Sequence, residues 1–192
     1  EWTNNPKEKE IDANNLFFDF DFIYGYPAIE NVLTETINQN ITRNKKFFAH
    51  LASNMLKNQP ALGFFRQFIV EGDGEYKDLF DIKTRGIKPL VDAARLLALN
   101  TGIIEITNTY NRFLKMAETE PQYAELYEEC AEAFNTLQRI RTENGLINNS
   151  NWQYINLEEM SKSDKARLKN CFQSIANLQD MIKNRFSLTY LS

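Results

Sequence analysis

The chain has 192 residues, enough for one substantial core at the usual size of about 100 to 200 residues per domain. A hydrophobic content of 43% and an aromatic content of 12% are those of a folded globular protein, and no apolar run approaches the roughly 20 residues that span a bilayer, so a soluble protein with no membrane partner is expected. The net charge of −4 gives no electrostatic reason to expect a nucleic acid as the main ligand.

Cys130 and Cys171 are far apart, with no CxxC spacing, and His50 is the chain's one histidine. That argues against a zinc site and against a disulfide scaffold; two reduced, buried cysteines in a cytoplasmic protein are expected, with His50 packed on an apolar helix face. The start at Glu1 without Met reads as that of an excised piece, and no signal-peptide pattern follows it.

Residues 1–15 are polar and read as a solvated lead-in. Residues 16–25 alternate, with Leu16, Phe18, Phe20 and Phe22 on one face and Phe17, Asp19, Asp21 and Ile23 on the other, which predicts a strand. That strand exposes an edge expected to pair with residues 67–70 or with another copy of the chain. Over 28–56 the period turns helical: Ile29, Val32, Leu33 and Ile37 form one face, and Phe47, Phe48, Leu51, Ala52 and Met55 another, as two helices or one bent one. Pro60 restarts a short helical piece through Phe68. Residues 71–75, EGDGE, then read as the turn of a hairpin between 67–70 and 78–83.

The charged stretch that follows carries the candidate chemistry. If residues 79–85 are extended, Phe80 and Ile82 face one way and Asp81, Lys83 and Arg85 the other. Gly86 breaks the run. Ile87, Leu90, Val91, Ala94, Leu97 and Ala98 then recur at helical spacing, with Pro89 in the first turn and an end near Asn100 and Gly102. Lys88, Asp92 and Arg95 share the opposite side. Charges gathered at a helix start suit a phosphate or carboxylate, since free N–H groups and the helix dipole both favour an anion there. They equally suit an internal ion-pair network that fixes the turn.

Further on, Thr107 or Thr109 caps a helix to about Met116. Pro121 opens a long helix with Tyr127, Cys130, Ala131, Phe134, Leu137 and Ile140 inward and Gly145 at its end. Residues 148–151 form a loop, and Ser161 caps a last helix whose stripe is Leu168, Phe172, Ile175, Leu178, Ile182 and Phe186. The fold class expected is mainly α: an antiparallel bundle of five or six helices with an N-terminal strand and a small β-hairpin.

Five segments in order, FFDFDFIYG (17–25), DIKTRGIKPLVDAARLLAL (81–99), TYNRFL (109–114), AFNTLQRIRTENG (133–145) and LKNCFQSIANLQDMIKNRF (168–186), resemble the nucleotidyltransferase substrate-binding domain. That domain follows the catalytic domain in bacterial proteins similar to PII uridylyltransferases, often linked to CBS or cyclic-nucleotide-binding modules. The resemblance implies that residues 1–25 are a linker and terminal strand left from a preceding nucleotidyltransferase domain, and that 26–192 form the helical substrate-binding domain. It implies transfer of a nucleoside monophosphate from a nucleoside triphosphate, with Mg²⁺, to an acceptor that in such families can be a protein. The Gly-Ser loop and the main Asp-x-Asp pair of such enzymes are missing, so this chain alone is expected to be inactive. Asp19 resembles their third carboxylate, with a catalytic or metal role only alongside the missing domain; Asp21 departs from the family, which more often has Arg there. Asp81, Lys83, Arg85, Lys88, Asp92, Arg95, Arg112, Gln138 and Arg141 become candidate substrate-binding residues. The rival expectation is a non-catalytic helical module that docks a partner or relays a signal. Under the first reading Asp19, Arg85, Lys88 and Arg95 line one concave surface; under the second they pair among themselves.

Overall fold

Local signals place the helix starts. Asn44 Oδ1 accepts from the Phe47 N–H at 3.0 Å, Asn108 Oδ1 from Asn111 at 3.1 Å, and Ser161 Oγ from Asp164 at 3.1 Å, each satisfying a donor that a helix leaves open in its first turn. The computed structural model describes residues 18–20, 23–41, 44–57, 67–148 and 152–188. Within them lie six helices: α1 (Pro27–Ile41), α2 (Lys45–Leu56), α3 (Lys88–Asn100), α4 (Thr109–Thr119), α5 (Ala124–Asn148) and α6 (Lys162–Arg185). A π-helical turn, Lys83–Ile87, runs directly into α3, and a 3₁₀ turn, Pro121–Tyr123, leads into α5. The expected mainly α fold is what the chain adopts.

α3 is the central element. Leu90, Ala93, Ala94, Leu96, Leu97, Ala98 and Leu99 are all buried, so the stripe read from the sequence widens to nearly the whole circumference, as it must in a helix walled on every side. It packs against α2, α4 and α6. α5 and α6 form the longest pair and run antiparallel: Cys130 lies against Ser174, while Thr136, further along α5, bonds Cys171, an earlier residue of α6. The stripe of α6 is buried from Leu168 to Ile182, and burying each Leu, Ile or Phe of this kind contributes about 2 kcal/mol. Phe172 joins Phe68 and Phe80 in an edge-to-face cluster with ring centroids 5.4–6.0 Å apart.

Several local expectations are corrected. Of the strand expected over 16–25, Phe18 and Asp19 form a turn with Phe20 following it, and Tyr24 and Gly25 form a bend; residues 16, 17, 21 and 22 lie outside the described residues. Phe18 is buried, its ring edge-on to Phe47 at 5.9 Å. Residues 71–79 do close a loop, through Glu71 N–H to Leu79 O and Asp78 N–H to Glu71 O, both 2.9 Å. The strand that follows, however, β1 (Phe80–Asp81), pairs antiparallel with β2 (Tyr154–Ile155), Phe80 facing Ile155. The extended reading of 79–85 fails beyond Asp81, because Ile82 leads into the π turn, and Asp81 and Ile82 are both buried. On α1 Ile37 and Ile41 are buried and Leu33 packs half-buried against the core, whereas Ile29 and Val32 remain 66% and 63% exposed. Gly145 lies inside α5 rather than at its end, and His50 is exposed rather than packed. Of the short helical piece expected from Pro60 through Phe68, only Gln67 and Phe68 are described and neither is helical; of the loop expected at 148–151, Asn148 ends α5 and residues 149–151 lie outside the described residues.

Candidate functional site

Arg95 projects from α3 and Arg112 from α4, and both converge on Asp19 in the 18–20 turn. Arg95 Nε donates to Asp19 Oδ1 at 3.1 Å and its Nη2 to Oδ2; Arg112 Nη1 lies 2.8 Å from Oδ1. Arg112 is further fixed by the Ile106 carbonyl, which accepts from Nε at 2.6 Å, and by Phe18 O at 3.4 Å. Arg95 Nη1 reaches Asp92 Oδ1 at 3.4 Å, and Lys88 Nζ donates to Asp92 Oδ2 at 2.6 Å. The result is a chain of alternating charge, Lys88–Asp92–Arg95–Asp19–Arg112. The guanidiniums are 6% and 1% exposed and the Asp19 side chain 29%. Burial works to raise the Asp19 pKa, but the hydrogen bond and charge of Arg95, then those of Arg112, outweigh it and hold the carboxyl below its ordinary value. For Arg112 burial dominates and lowers the pKa, with Asp19 opposing.

A second group surrounds the π turn. Asp81 Oδ1 accepts from the Thr84 N–H at 2.8 Å and Oδ2 from Gln153 Nε2 at 2.9 Å, so this carboxylate caps the turn and ties it to the segment before β2. Arg85 is buried and pairs with Glu71 at 3.0 Å, while Lys83 is exposed. Gln138 and Arg141 form a third group on α5: Arg141 Nε donates to the Trp152 carbonyl at 2.6 Å and Nη1 to Gln138 Oε1 at 3.5 Å.

The expected site residues therefore fall into three sets. Arg112 does share the Asp19–Arg95 cluster, whereas Asp81, Arg85, Gln138 and Arg141 have other partners. Arg95, Arg85 and Lys88 each sit in an ion pair, to Asp19, Glu71 and Asp92. Sequence reading missed Glu71 and Gln153, which complete the second group. It also missed Glu120, Tyr127 and Arg185, where the Tyr127 hydroxyl donates to Glu120, and Arg185 Nη2 bonds Glu120 at 2.7 Å and the Tyr127 oxygen at 3.3 Å. No local pattern announces partners 58 or 65 residues apart. A groove of about 480 Å³ between α5 and α6, lined by Glu129, Glu132, Thr136, Arg167, Asn170 and Ser174 among others, contains none of the expected residues.

The described carboxylates do not by themselves form a metal site. Among the described residues no three His, Cys, Asp or Glu side chains are grouped to hold one, and both oxygens of Asp19 are taken up by guanidiniums, which neutralise the charge a hard cation needs. Among the described residues no helix is long and apolar enough to cross a membrane.

The described residues thus form a helical bundle that buries an arginine-rich ionic chain beside its central helix. Residues 45–186 match the family described as "Putative nucleotidyltransferase substrate binding domain", and the chain belongs to that family. No curated protein and no solved structure matches the chain.

Proposed function

We propose that this chain is the acceptor-binding region of a bacterial cytoplasmic nucleotidyltransferase resembling PII uridylyltransferases, which passes a nucleoside monophosphate from a nucleoside triphosphate to an acceptor. The observation that carries this reading is the family match over 45–186. Residues 1–25 are then the connection to a preceding catalytic domain of the same protein, and 26–192 the helical domain. The nucleotide and its Mg²⁺ belong to that other domain, since this sequence has no Gly-Ser pair and its described carboxylates form no three-ligand group. Here Lys83, exposed, and Lys88, 41% exposed, are the cations that meet phosphates or an acidic acceptor first. Arg95 and Arg112 lie deeper and set the field behind them.

Replacing Lys83 and Lys88 together with alanine in the full-length protein tests this without disturbing the core. The Michaelis constant for the acceptor rises at least tenfold while the thermal midpoint is unchanged. Transfer by the isolated chain, with contaminants excluded, counts against the reading. A second reading, a non-catalytic module that docks a partner or relays a signal, is favoured by the pairing of Arg95, Arg85 and Lys88 with nearby carboxylates; transfer kinetics indifferent to both lysines would support it.

A further inference from the structure

Arg95 and Arg112 are buried cations, and a buried guanidinium is costly unless an anion meets it. Most of that anion comes from outside the span that the family model matches. Among the described residues of 45–186, the Arg112 guanidinium bonds only the Ile106 carbonyl, and Arg95 reaches Asp92 at 3.4 Å, a carboxylate that Lys88 already holds at 2.6 Å. Asp19, before that span, supplies the remainder. Three cations, Lys88, Arg95 and Arg112, meet two carboxylates; without Asp19 they would meet one.

Each arginine also has a partner other than the Asp19 carboxylate. Ile106 O accepts from Arg112 Nε at 2.6 Å and Asp92 Oδ1 lies 3.4 Å from Arg95 Nη1, so both guanidiniums retain a contact within the helical domain if the carboxylate leaves. Arg95 offers Nε and Nη2 to the two oxygens of Asp19, the side-on geometry that suits a carboxylate or a phosphate equally. Asp19 is itself the most accessible member of the trio, and its turn is anchored by the neighbouring Phe18 ring on Phe47 rather than by the carboxylate alone.

We propose that Arg95 and Arg112 form an oxyanion-binding pocket, for a carboxylate or phosphate group of the ligand, and that Asp19 is an internal plug which that group displaces. This deepens the acceptor-binding role and rests on it only for the ligand's identity; the pocket is tested on the chain alone, without catalysis.

The probes are inorganic phosphate and acetate, titrated at constant ionic strength against the wild-type chain, Asp19→Asn, and Asp19→Ala, with calorimetry and thermal unfolding as readouts. Removing the plug is expected to tighten binding of at least one anion tenfold or more and to raise the variant's unfolding midpoint with that anion, while adding Arg95→Gln cancels both effects. A preference for acetate identifies an acceptor carboxylate as the natural occupant; a preference for phosphate identifies a nucleotide phosphate. Equal, weak responses of wild type and variants to both anions would overturn the proposal. So would an Asp19 variant that fails to fold and is not restored by either anion; restoration by an anion would support it. Because no transfer is measured, failure here leaves the acceptor-binding reading standing.

Discussion

Gly145 and Trp152 occupy nearly the same space: a Cβ on Gly145 would lie 2.5 Å from Trp152 Cδ2 and 2.7 Å from Cγ. The indole covers α5 where the glycine exposes backbone, and the segment is pinned there because Arg141 donates to the Trp152 carbonyl at 2.6 Å. Ala in place of Gly inside a helix ordinarily gains about 1 kcal/mol, but forcing a rigid ring aside costs about 1 to 3 kcal/mol. Gly145→Ala is therefore expected to lose about 1 kcal/mol net, with the Trp152 emission shifted to the red in a Trp2→Phe background. A denaturation midpoint equal to or above that of the parent, with unchanged emission, would show that the contact is not tight.

The ionic chain around Asp19 makes a second expectation. Its carboxyl pKa is lower in the folded state, the pull of Arg95 and Arg112 exceeding the opposing effect of burial, with Asp92 and Lys88 the other charged groups on the same network. A depressed folded pKa means that the unfolded chain takes up the proton first. The stabilisation is therefore complete above the unfolded value, about 4, and is lost as pH falls through the lower folded value. Asp19→Asn should cost about 2 kcal/mol near neutrality, less than the 3 to 5 kcal/mol of a fully buried pair because Asp19 is partly exposed. The difference from wild type should shrink steadily on acidification below about pH 4. Denaturant titrations at a series of pH values measure it; a difference that stays constant with pH would show that Asp19 carries no linked proton.

How far such features can be read from sequence depends on their range along the chain. The α6 stripe Leu168–Phe172–Ile175–Leu178–Ile182 and its Ser161 cap are local, and both are seen in the structure. β1 and β2 have two residues each and lie more than 70 positions apart, too short for a period-two signal and too distant for a hairpin signal. The alternating charges of residues 81–85 imitate a strand, yet the Asp81 cap on Thr84 turns them into a π-helical turn. The candidate site divides in the same way. The Lys88–Asp92–Arg95 spacing of three and four is visible on a helix, whereas the Asp19–Arg95 contact spans 76 residues and only the tertiary fold creates it. Resemblance put Asp19 and Arg112 among the candidates; no spacing rule indicated that Arg95 and Arg112 would share the Asp19 carboxylate.

The Glu120–Tyr127–Arg185 cluster ties the end of α6 to the α4–α5 turn, with Arg185 also lying over the Tyr123 ring at 5.3 Å. Burial first, and then the hydrogen bond to Glu120, push the Tyr127 hydroxyl well above its ordinary pKa, so it remains a donor throughout the usual pH range. Tyr127→Phe removes that donor and should cost about 1 kcal/mol. Arg185→Met leaves the Glu120 carboxylate without its cation and should cost more, about 2 kcal/mol. Urea midpoints of the two variants decide the order; a larger loss for Tyr127→Phe would make the hydroxyl, rather than the ion pair, the main fastening.

The two cysteines report on how the α5–α6 seam opens. Both thiols are free and buried. Burial pushes the Cys171 thiol up to about 11. It raises Cys130 further, with the Glu129 charge adding to it. At pH 8 a thiol with a pKa of about 11 is roughly one part in a thousand thiolate, and only the thiolate is alkylated at a useful rate. Iodoacetamide should thus label the native chain far more slowly than the unfolded one. Cys171, at the edge of the groove beside Thr136 and Asn170, should react ahead of Cys130, whose sulfur lies against the Ser174 carbonyl inside the seam. Peptide-resolved mass spectrometry over a time course separates the two sites. Equal rates for both would mean that labelling proceeds through whole-domain unfolding, and faster labelling of Cys130 would mean that the seam opens first at that end.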